Sequence, residues 1–327
     1  MVESVKNNSR LLTIAIPTYN RAKYLDLCLS QIAKQVPPGD ERIEIVVSDN
    51  LSTDNTEEIV AKYIRRGHPI RYIKNQKNIG GDPNIIQAYN LATTKYVLVF
   101  GDDDVFLDGS IQRMVDLIER DDFGVVFLRS FGFENDFDPT AARKQKYRLI
   151  EYHTKDYFVW RINYLFTFIS ANIINKQMVG PEGDTTQLGP NMAQLGWIFS
   201  AFSRARKNAV IDGHLFASKG DIPANYNLAE VFGVNTNRVF DLLAQKGIPK
   251  RFFFYYNLHL LVTFFPSRIL AVREKPGHDR SHDFFATLFP LYRKNLLFWL
   301  FTVPIIKAPL PIARIWFRLI RMFFIYR

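Results

Sequence analysis

The sequence predicts an α/β fold: a mostly parallel sheet flanked by helices on both faces. Three observations carry this. Short runs rich in Val, Ile, Tyr and Phe recur between residues 11 and 128. Segments with helical spacing separate them. A polar stretch, often acidic, comes after each of the first four runs.

The runs are Leu12–Ile16, Ile43–Ser48, Ile70–Lys74, Tyr96–Phe100 and Gly124–Leu128. They are short and β-branched, so they read as buried strands. Between the first two, Tyr24, Leu27, Cys28, Gln31 and Ile32 share one helical face. Ile59, Tyr63 and Ile64 share a second, after the start signal Ser52-Thr53-Asp54. Ile85, Ile86, Tyr89 and Asn90 form a third, with Pro83 in its first turn. Ile111, Met114, Val115 and Ile118 form a fourth. Beyond residue 129 the pattern loosens. Residues 133–147 read as a surface loop, "LFTFISANIINKQMV" as another strand, and residues 187–213 as a helix and then a strand.

Composition bounds the rest. With 47% hydrophobic and 23% charged residues, a packed core is expected. The single cysteine, Cys28, excludes a disulfide framework and a cysteine-based zinc site. The first residues lack the pattern of a secretory signal, so a cytoplasmic chain is expected. The net charge of +10 is uneven: residues 246–327 hold 14 Lys and Arg against 3 acids.

That C-terminal quarter is aromatic, apolar and basic. Its longest uncharged run, Asn295–Ile306, is shorter than the ~20 residues of a membrane-crossing helix. Pro304, Pro309 and Pro311 interrupt any longer helix through residues 304–311. Beyond them, Arg314, Arg318 and Arg321 share one helical face, with Trp316, Phe317, Leu319, Ile320, Phe323 and Phe324 around them. This reads as a helix lying in an anionic membrane surface, with residues 290–327 as the contact region. A core helix or a subunit interface would also carry the apolar rings, but would rarely keep three arginines. The excess of Phe, Ile and Leu over Lys disfavours nucleic acid as the partner. The chain is expected to divide into an α/β domain over residues 1–215 and a helical, basic, amphipathic region over 216–327.

In such sheets ligands sit beyond the carboxyl ends of the strands. Pro17-Thr18-Tyr19-Asn20 lies after the first strand, Asp49-Asn50 after the second, Asn75–Asp82 after the third, and Asp102-Asp103-Asp104 after the fourth. Adjacent carboxylates suit Mg²⁺ or Mn²⁺, and magnesium is usually held by one or two carboxylates plus substrate phosphates. An acidic turn or helix start would also account for "DDD" taken alone; its place in the sheet favours the metal. A phosphate-loop sequence, GxGxxG after the first strand and a GxSxG elbow are all absent, which disfavours ATPase, dehydrogenase and esterase chemistry. The histidines are scattered, and His278 and His282 read as surface residues.

These segments together resemble a known family. "TIAIPTYNRAKYLDLCLSQI", "IEIVVSDNLSTDNTEEIV" and "NIGGDPNIIQAYNLATTKYVLVFGDDD" are similar, in order and spacing, to family 2 nucleotide-sugar glycosyltransferases of the GT-A fold, which is Rossmann-like. The resemblance implies that Pro17, Thr18 and Tyr19 line the nucleotide base, with Asn20 and Arg21 beside them. It implies that Asp49 binds the base or ribose, and that Asn78 and Gly80 belong to a loop approaching the nucleotide. Asp102 and Asp103 would belong to the DXD-type element that binds the donor, and Asp102, Asp103 and Asp104 would hold Mn²⁺ or Mg²⁺. Gly101 stands where relatives often carry an acid. More faintly, "TFISANIINK", "QLGPNMAQLGW" and "NLAEVFGVNTNRVF" resemble bacterial O-antigen sugar transferases of the abequosyltransferase kind. That implies a lipid-linked saccharide acceptor at the cytoplasmic face of the inner membrane.

One departure concerns the catalytic base. Many relatives carry an acidic pair before the helix written here "NMAQLGWIFSAF"; this chain has "GPEGDTTQLGPN", so Glu182 and Asp184 are the candidates. The Gln-x-x-Arg-Trp element of processive synthases is missing, which points to addition of one sugar. The expected activity is an inverting, metal-dependent transfer of one sugar from a nucleoside-diphosphate donor. The rival readings are a nucleotidyltransferase, and a membrane-bound scaffold that has lost its chemistry.

Overall fold

The structure is a computed structural model that describes residues 10–133, 137–140, 145–184, 192–220, 227–274 and 283–324. The side chain of Glu182, the pair His278 and His282, and the side chains of Phe323 and Phe324 lie outside the described residues. The chain forms two compact units, one of residues 1–155 and 166–223, the other of residues 156–165 and 224–327.

The first unit begins with strand–helix alternation: β1 Leu12–Thr18, α1 Ala22–Gln35, β2 Ile43–Asp49, α2 Thr56–Arg65, β3 Ile70–Lys74, α3 Gly81–Leu91 and β4 Tyr96–Val99. It continues with β5 Val105–Phe106, α4 Ser110–Arg120, β6 Val125–Phe133, β7 Arg148–Tyr152, β8 Asn172–Asn175, α6 Ala193–Arg204 and β9 Asn208–Lys219; α5 Lys155–Ile162, between β7 and β8, belongs to the second unit from residue 156 on. The nine strands among the described residues join one sheet in the order β3-β2-β1-β4-β8-β6-β9-β5, with β7 paired to β9.

The sheet is mixed, which corrects the expectation of a mostly parallel one. β3, β2, β1 and β4 pair in parallel, as do β6 and β9. β8 is inserted antiparallel between β4 and β6, and β5 and β7 pair antiparallel with β9. The reversal is already made at β7, which runs opposite to β6. β7 and β8 then run the same way, and their connection holds α5, the long crossover that a parallel return needs. Because β8 lies antiparallel to both its neighbours, β4 and β6 still point the same way. The carboxyl ends of β1, β2, β3, β4, β6 and β9 therefore share one edge.

Every residue of β2 is buried, and β1 is buried except at Pro17. Both strands are covered on both faces, which is why they read as continuous apolar runs rather than alternating ones. In α4, Ile111, Met114, Val115 and Ile118 are buried as their spacing requires. The buried face of α1 is Leu25, Cys28, Leu29 and Ile32, an i, i+3, i+4, i+7 stripe, and Leu27 lies outside it, 37% exposed. In α2, Val60 and Tyr63 turn inward while Ile64 faces water.

At the other edge of the sheet, Glu44 is buried at the start of β2. It accepts from the Thr13 hydroxyl at 2.9 Å and from Arg71 Nε at 3.1 Å, with Arg10 Nη1 at 3.6 Å. Glu44→Ala leaves the Thr13 hydroxyl with Thr94 alone, at 2.7 Å, and leaves two arginines without their acid. Since both arginines reach solvent, the expected loss is about 1–3 kcal/mol. Urea denaturation would show it as a lower midpoint; a change below about 0.5 kcal/mol would contradict this role.

The second unit is helical. It contains α7 Thr236–Gln245, α8 Lys250–His259, α9 Phe265–Glu274, α10 Phe284–Tyr292, α11 Val303–Lys307 and α12 Leu310–Phe324, with single π-helical turns at Glu230–Asn235, Leu260–Phe264 and Phe298–Thr302. A closed ring of hydrogen bonds ties α7, α8 and α10. Asn237 Nδ2 donates to the Tyr292 hydroxyl (2.8 Å), that hydroxyl to Asn257 Oδ1 (2.7 Å), and Asn257 Nδ2 to Asn237 Oδ1 (3.0 Å). No described helix is long and apolar enough to cross a membrane.

Candidate active site

The loops after β1, β2, β3 and β4 are bound to one another at the common edge. Three of the bonds reach across the longest sequence separations. Thr18 Oγ1, at the end of β1, donates to Asp102 Oδ2 at 2.7 Å. Arg21 Nη1, just before α1, contacts Asp102 Oδ1 at 2.9 Å and Asp103 Oδ2 at 3.0 Å. Asp102 is thus buried and held on both oxygens, while the Asp103 side chain keeps 21% of its surface exposed.

The third aspartate does something else. Asp104 is buried and hydrogen-bonded to Ser170 and to the backbone of Lys219. Burial pushes its carboxyl up to about 8, against the Ser170 bond and with help from the charges of Asp103 and Asp102. Burial also lifts Asp102 to about 6, with Arg21 and Thr18 pulling the other way. At neutral pH Asp104 therefore stays largely protonated. Among the described residues no group of three or more His, Cys, Asp or Glu side chains is placed to hold a metal ion.

Asp104 makes stability depend on pH. Between about pH 4 and 8 the folded protein keeps a proton on Asp104 that the unfolded chain has lost. Stability must then fall as pH rises through that window and level off above it. Asp102 adds the same trend only up to about 6, so the Asp104 contribution is cleanest between 6 and 8. Asp104→Asn, a neutral isostere, should flatten the curve there by about 1 kcal/mol per pH unit. Parallel curves for the two proteins in urea titrations at pH 6, 7 and 8 would refute it.

Gly101 has a steric explanation. A Cβ on it would lie 3.0 Å from both Asp103 Oδ1 and Asp104 Oδ2. Its N–H donates to Ser170 Oγ at 2.9 Å. An acid here would crowd the two that come after it.

Asp49 is fully buried. Ser52 N–H (2.8 Å) and Ser52 Oγ (2.6 Å) donate to its Oδ1, and the Tyr72 hydroxyl (2.6 Å) donates to its Oδ2. In this structure its carboxylate pins the loop after β2 rather than facing outward. Asn50 binds that loop to the next one: its Nδ2 donates to Asn78 Oδ1 (2.8 Å) and Gly80 O (3.1 Å), and its Oδ1 accepts from Ile79 N–H (2.8 Å). Asn78 Oδ1 also accepts from Gly80 N–H at 2.9 Å, and Gly80 takes the left-handed φ of 93° that lets α3 begin there.

The loop after β1 is held as tightly. Asn20 has φ 53°, and its Oδ1 accepts from Thr53 N–H at 2.7 Å. Asp54 serves two helices: Oδ1 accepts from Thr56 N–H (3.1 Å) at the start of α2, and Oδ2 from Ala22 N–H (3.0 Å) at the start of α1. The sequence signal pointed only to α2. Pro17 is half-buried, and Tyr19 at 43% and Leu51 at 36% exposure form the open lip of the site. Tyr72 and Ser170 carry no local sequence signal, because each acts through a partner outside its own element.

Of the two candidate bases, Asp184 is exposed and sits just past the 3₁₀ turn Pro181–Gly183. The turn packs against α6: a Cβ on Gly183 would lie 3.0 Å from Ser200 Cβ, and Ser200 Oγ accepts from Gly180 N–H at 2.9 Å.

A pair of carboxylates, a hydroxyl and an arginine thus lie at the carboxyl edge of parallel strands, where open α/β sheets bind their ligands. Residues 13–180 match the family described as Glycosyl transferase family 2, and the chain belongs to that family. It is 39% identical over 102 residues to the abequosyltransferase RfbV of Salmonella typhimurium, a match covering 31% of this chain and 30% of that protein. It is 30% identical over 135 residues to the poly(ribitol-phosphate) beta-N-acetylglucosaminyltransferase TarS of Staphylococcus aureus, covering 41% of this chain and 23% of that one. The matches thus span less than half the length of these curated relatives. The crystal structure of S. aureus TarS 1–349 superposes with a TM-score of 0.54 at 19% identity, over 97% of this chain and 93% of that one, and shares the fold.

Proposed function

We propose that this protein is an inverting, non-processive glycosyltransferase that moves one sugar from a nucleoside-diphosphate sugar to a saccharide acceptor, with a divalent cation. The observation that carries the reading is the convergence of Asp102 Oδ1 and Asp103 Oδ2 on one point, the Arg21 nitrogen, at 2.9 and 3.0 Å. Two carboxylates suffice for Mg²⁺ or Mn²⁺ when a substrate phosphate completes the shell, so the donor set fits such an ion. Asp102 and Asp103 would hold it, and it would offset the charge that develops on the leaving diphosphate.

The chain's own residues supply the rest. Thr18 fixes Asp102 from behind. Tyr19 and Leu51 offer an apolar lip for the base, and the loops pinned by Asp49 and Asn50 shape the nucleotide's walls. Asp184 or Glu182 takes the acceptor proton. The relatives' names support the reading: TarS has been crystallised with UDP-GlcNAc, and RfbV is an abequosyltransferase. We extend it to a lipid-linked acceptor in bacterial surface polysaccharide synthesis, with the protein peripheral at the cytoplasmic face of the inner membrane through residues 290–327. The basic, apolar surface of α12 supports that placement.

The test is a screen of nucleotide sugars with Mn²⁺ and Mg²⁺, reading release of the nucleoside diphosphate. Release from one donor that stops with a chelator is the expected result. Nucleotide-sugar binding without turnover, for every donor and saccharide acceptor, would favour the scaffold.

A further inference from the structure

We propose that Arg21 is a displaceable internal counterion: it competes with the divalent cation for the Asp102–Asp103 pair and, once displaced, serves the donor's diphosphate. This rests on the metal-dependent reading above. A single guanidinium nitrogen makes both contacts, at 2.9 and 3.0 Å. A cation bound to the same two oxygens at ~2.0–2.1 Å needs the space between them. The two cannot share it.

The surroundings let the arginine leave and the carboxylate stay. The backbone at Arg21 is fixed, since its carbonyl accepts from Tyr24 N–H and Leu25 N–H, both at 3.0 Å. Its side chain is 31% exposed, and besides the two carboxylates it lies over the face of Tyr24, with 5.5 Å from guanidinium to ring centre. Rotation about the side-chain bonds frees it without moving α1. Asp102 stays in place, because Thr18 Oγ1 keeps its other oxygen at 2.7 Å. The freed guanidinium is a planar fork suited to two phosphate oxygens. Cation and donor should therefore bind cooperatively: the cation evicts Arg21, and the diphosphate gives it a new anion.

The test is a Mn²⁺ titration of the full chain without nucleotide, read by electron paramagnetic resonance, on wild type, Arg21→Met and Asp103→Asn. Arg21→Met should bind Mn²⁺ about tenfold more tightly than wild type, since no charged hydrogen bonds have to be broken first. Asp103→Asn should bind it more weakly than wild type. Equal affinity in wild type and Arg21→Met, with Asp103→Asn impaired, leaves the cation site standing and overturns the competition. Equal affinity, or no binding, in all three places the cation elsewhere and removes both the metal reading of this pair and the proposal. At saturating Mn²⁺, Arg21→Met should raise KM for the active nucleotide sugar about tenfold; an unchanged KM overturns the diphosphate contact. Should Arg21→Met melt well below wild type, Arg21→Gln carries the same expectations.

Discussion

Asp103→Asn should cut kcat/KM for sugar transfer by about 10²–10³ while leaving the melting temperature nearly unchanged. Activity and stability separate here because they rest on different contacts. Asp103 is the more exposed member of the pair, and its ion pair is to the half-exposed Arg21. Losing that pair costs the fold little, because exposed pairs of this kind contribute about 0–1 kcal/mol. Its charge matters at the moment when the diphosphate leaves, since negative charge then has to be met inside a partly dry site. Asn keeps the shape and removes one of the two carboxylates on which that charge balance depends. Asp102→Asn is a poorer instrument. Both oxygens of Asp102 accept hydrogen bonds, from Thr18 and Arg21, so an amide nitrogen would face one donor or the other. That variant mixes instability with lost chemistry. Steady-state kinetics beside thermal melts separate the cases, and Asp103→Asn within threefold of wild type would remove it from the site.

What could be read from the sequence depends on how far apart the interacting residues lie along the chain. The parallel half of the sheet was legible because successive strands from β1 to β4 are each separated by one helix, so local periodicity suffices. The loops carrying Thr18, Asp49, Asn78 and Asp102 came from the rule that ligands lie beyond strand ends. The hidden features depend on remote partners. The antiparallel insertion of β8 follows from the reversal between β6 and β7, which carries no periodic signal. The burial of Asp49 depends on Tyr72, on the next strand. The proton on Asp104 is set by burial in a pocket shared with Ser170, which lies far along the chain. "GDDD" therefore reads as a row of equal acids, yet folding gives each a separate task. Asp102 is fixed, Asp103 is open, and Asp104 is kept largely neutral. The repulsion suggested by the triplet is relieved within the protein by Arg21 and by burial.

Replacing Arg314, Arg318 and Arg321 together by Gln should weaken binding to vesicles of mixed neutral and anionic lipid by roughly 30-fold. The reason begins with how little of α12 is used inside its own unit. Ala313 and Ile320 are buried and Phe317 is half-buried, a narrow stripe, while Ile312, Ile315, Trp316, Leu319 and Met322 remain between 36% and 60% exposed. Helices of folded proteins seldom leave so many large apolar side chains in water. The arginines lie among these side chains, not on an opposite polar face, so charge and apolar surface would meet a bilayer together. Each basic residue near an anionic surface contributes about 1 kcal/mol. Arg314 is already bonded to Glu274, Nε to Oε1 at 2.7 Å, and counts for less than a full charge. The three together are therefore expected to contribute about 2 kcal/mol, and high salt should reproduce the loss in the wild type. Ile315→Ser with Leu319→Ser should weaken binding at every salt concentration, because that part of the contact is apolar. Sedimentation with vesicles distinguishes the two. If both variants bind as the wild type does, α12 is not the membrane contact.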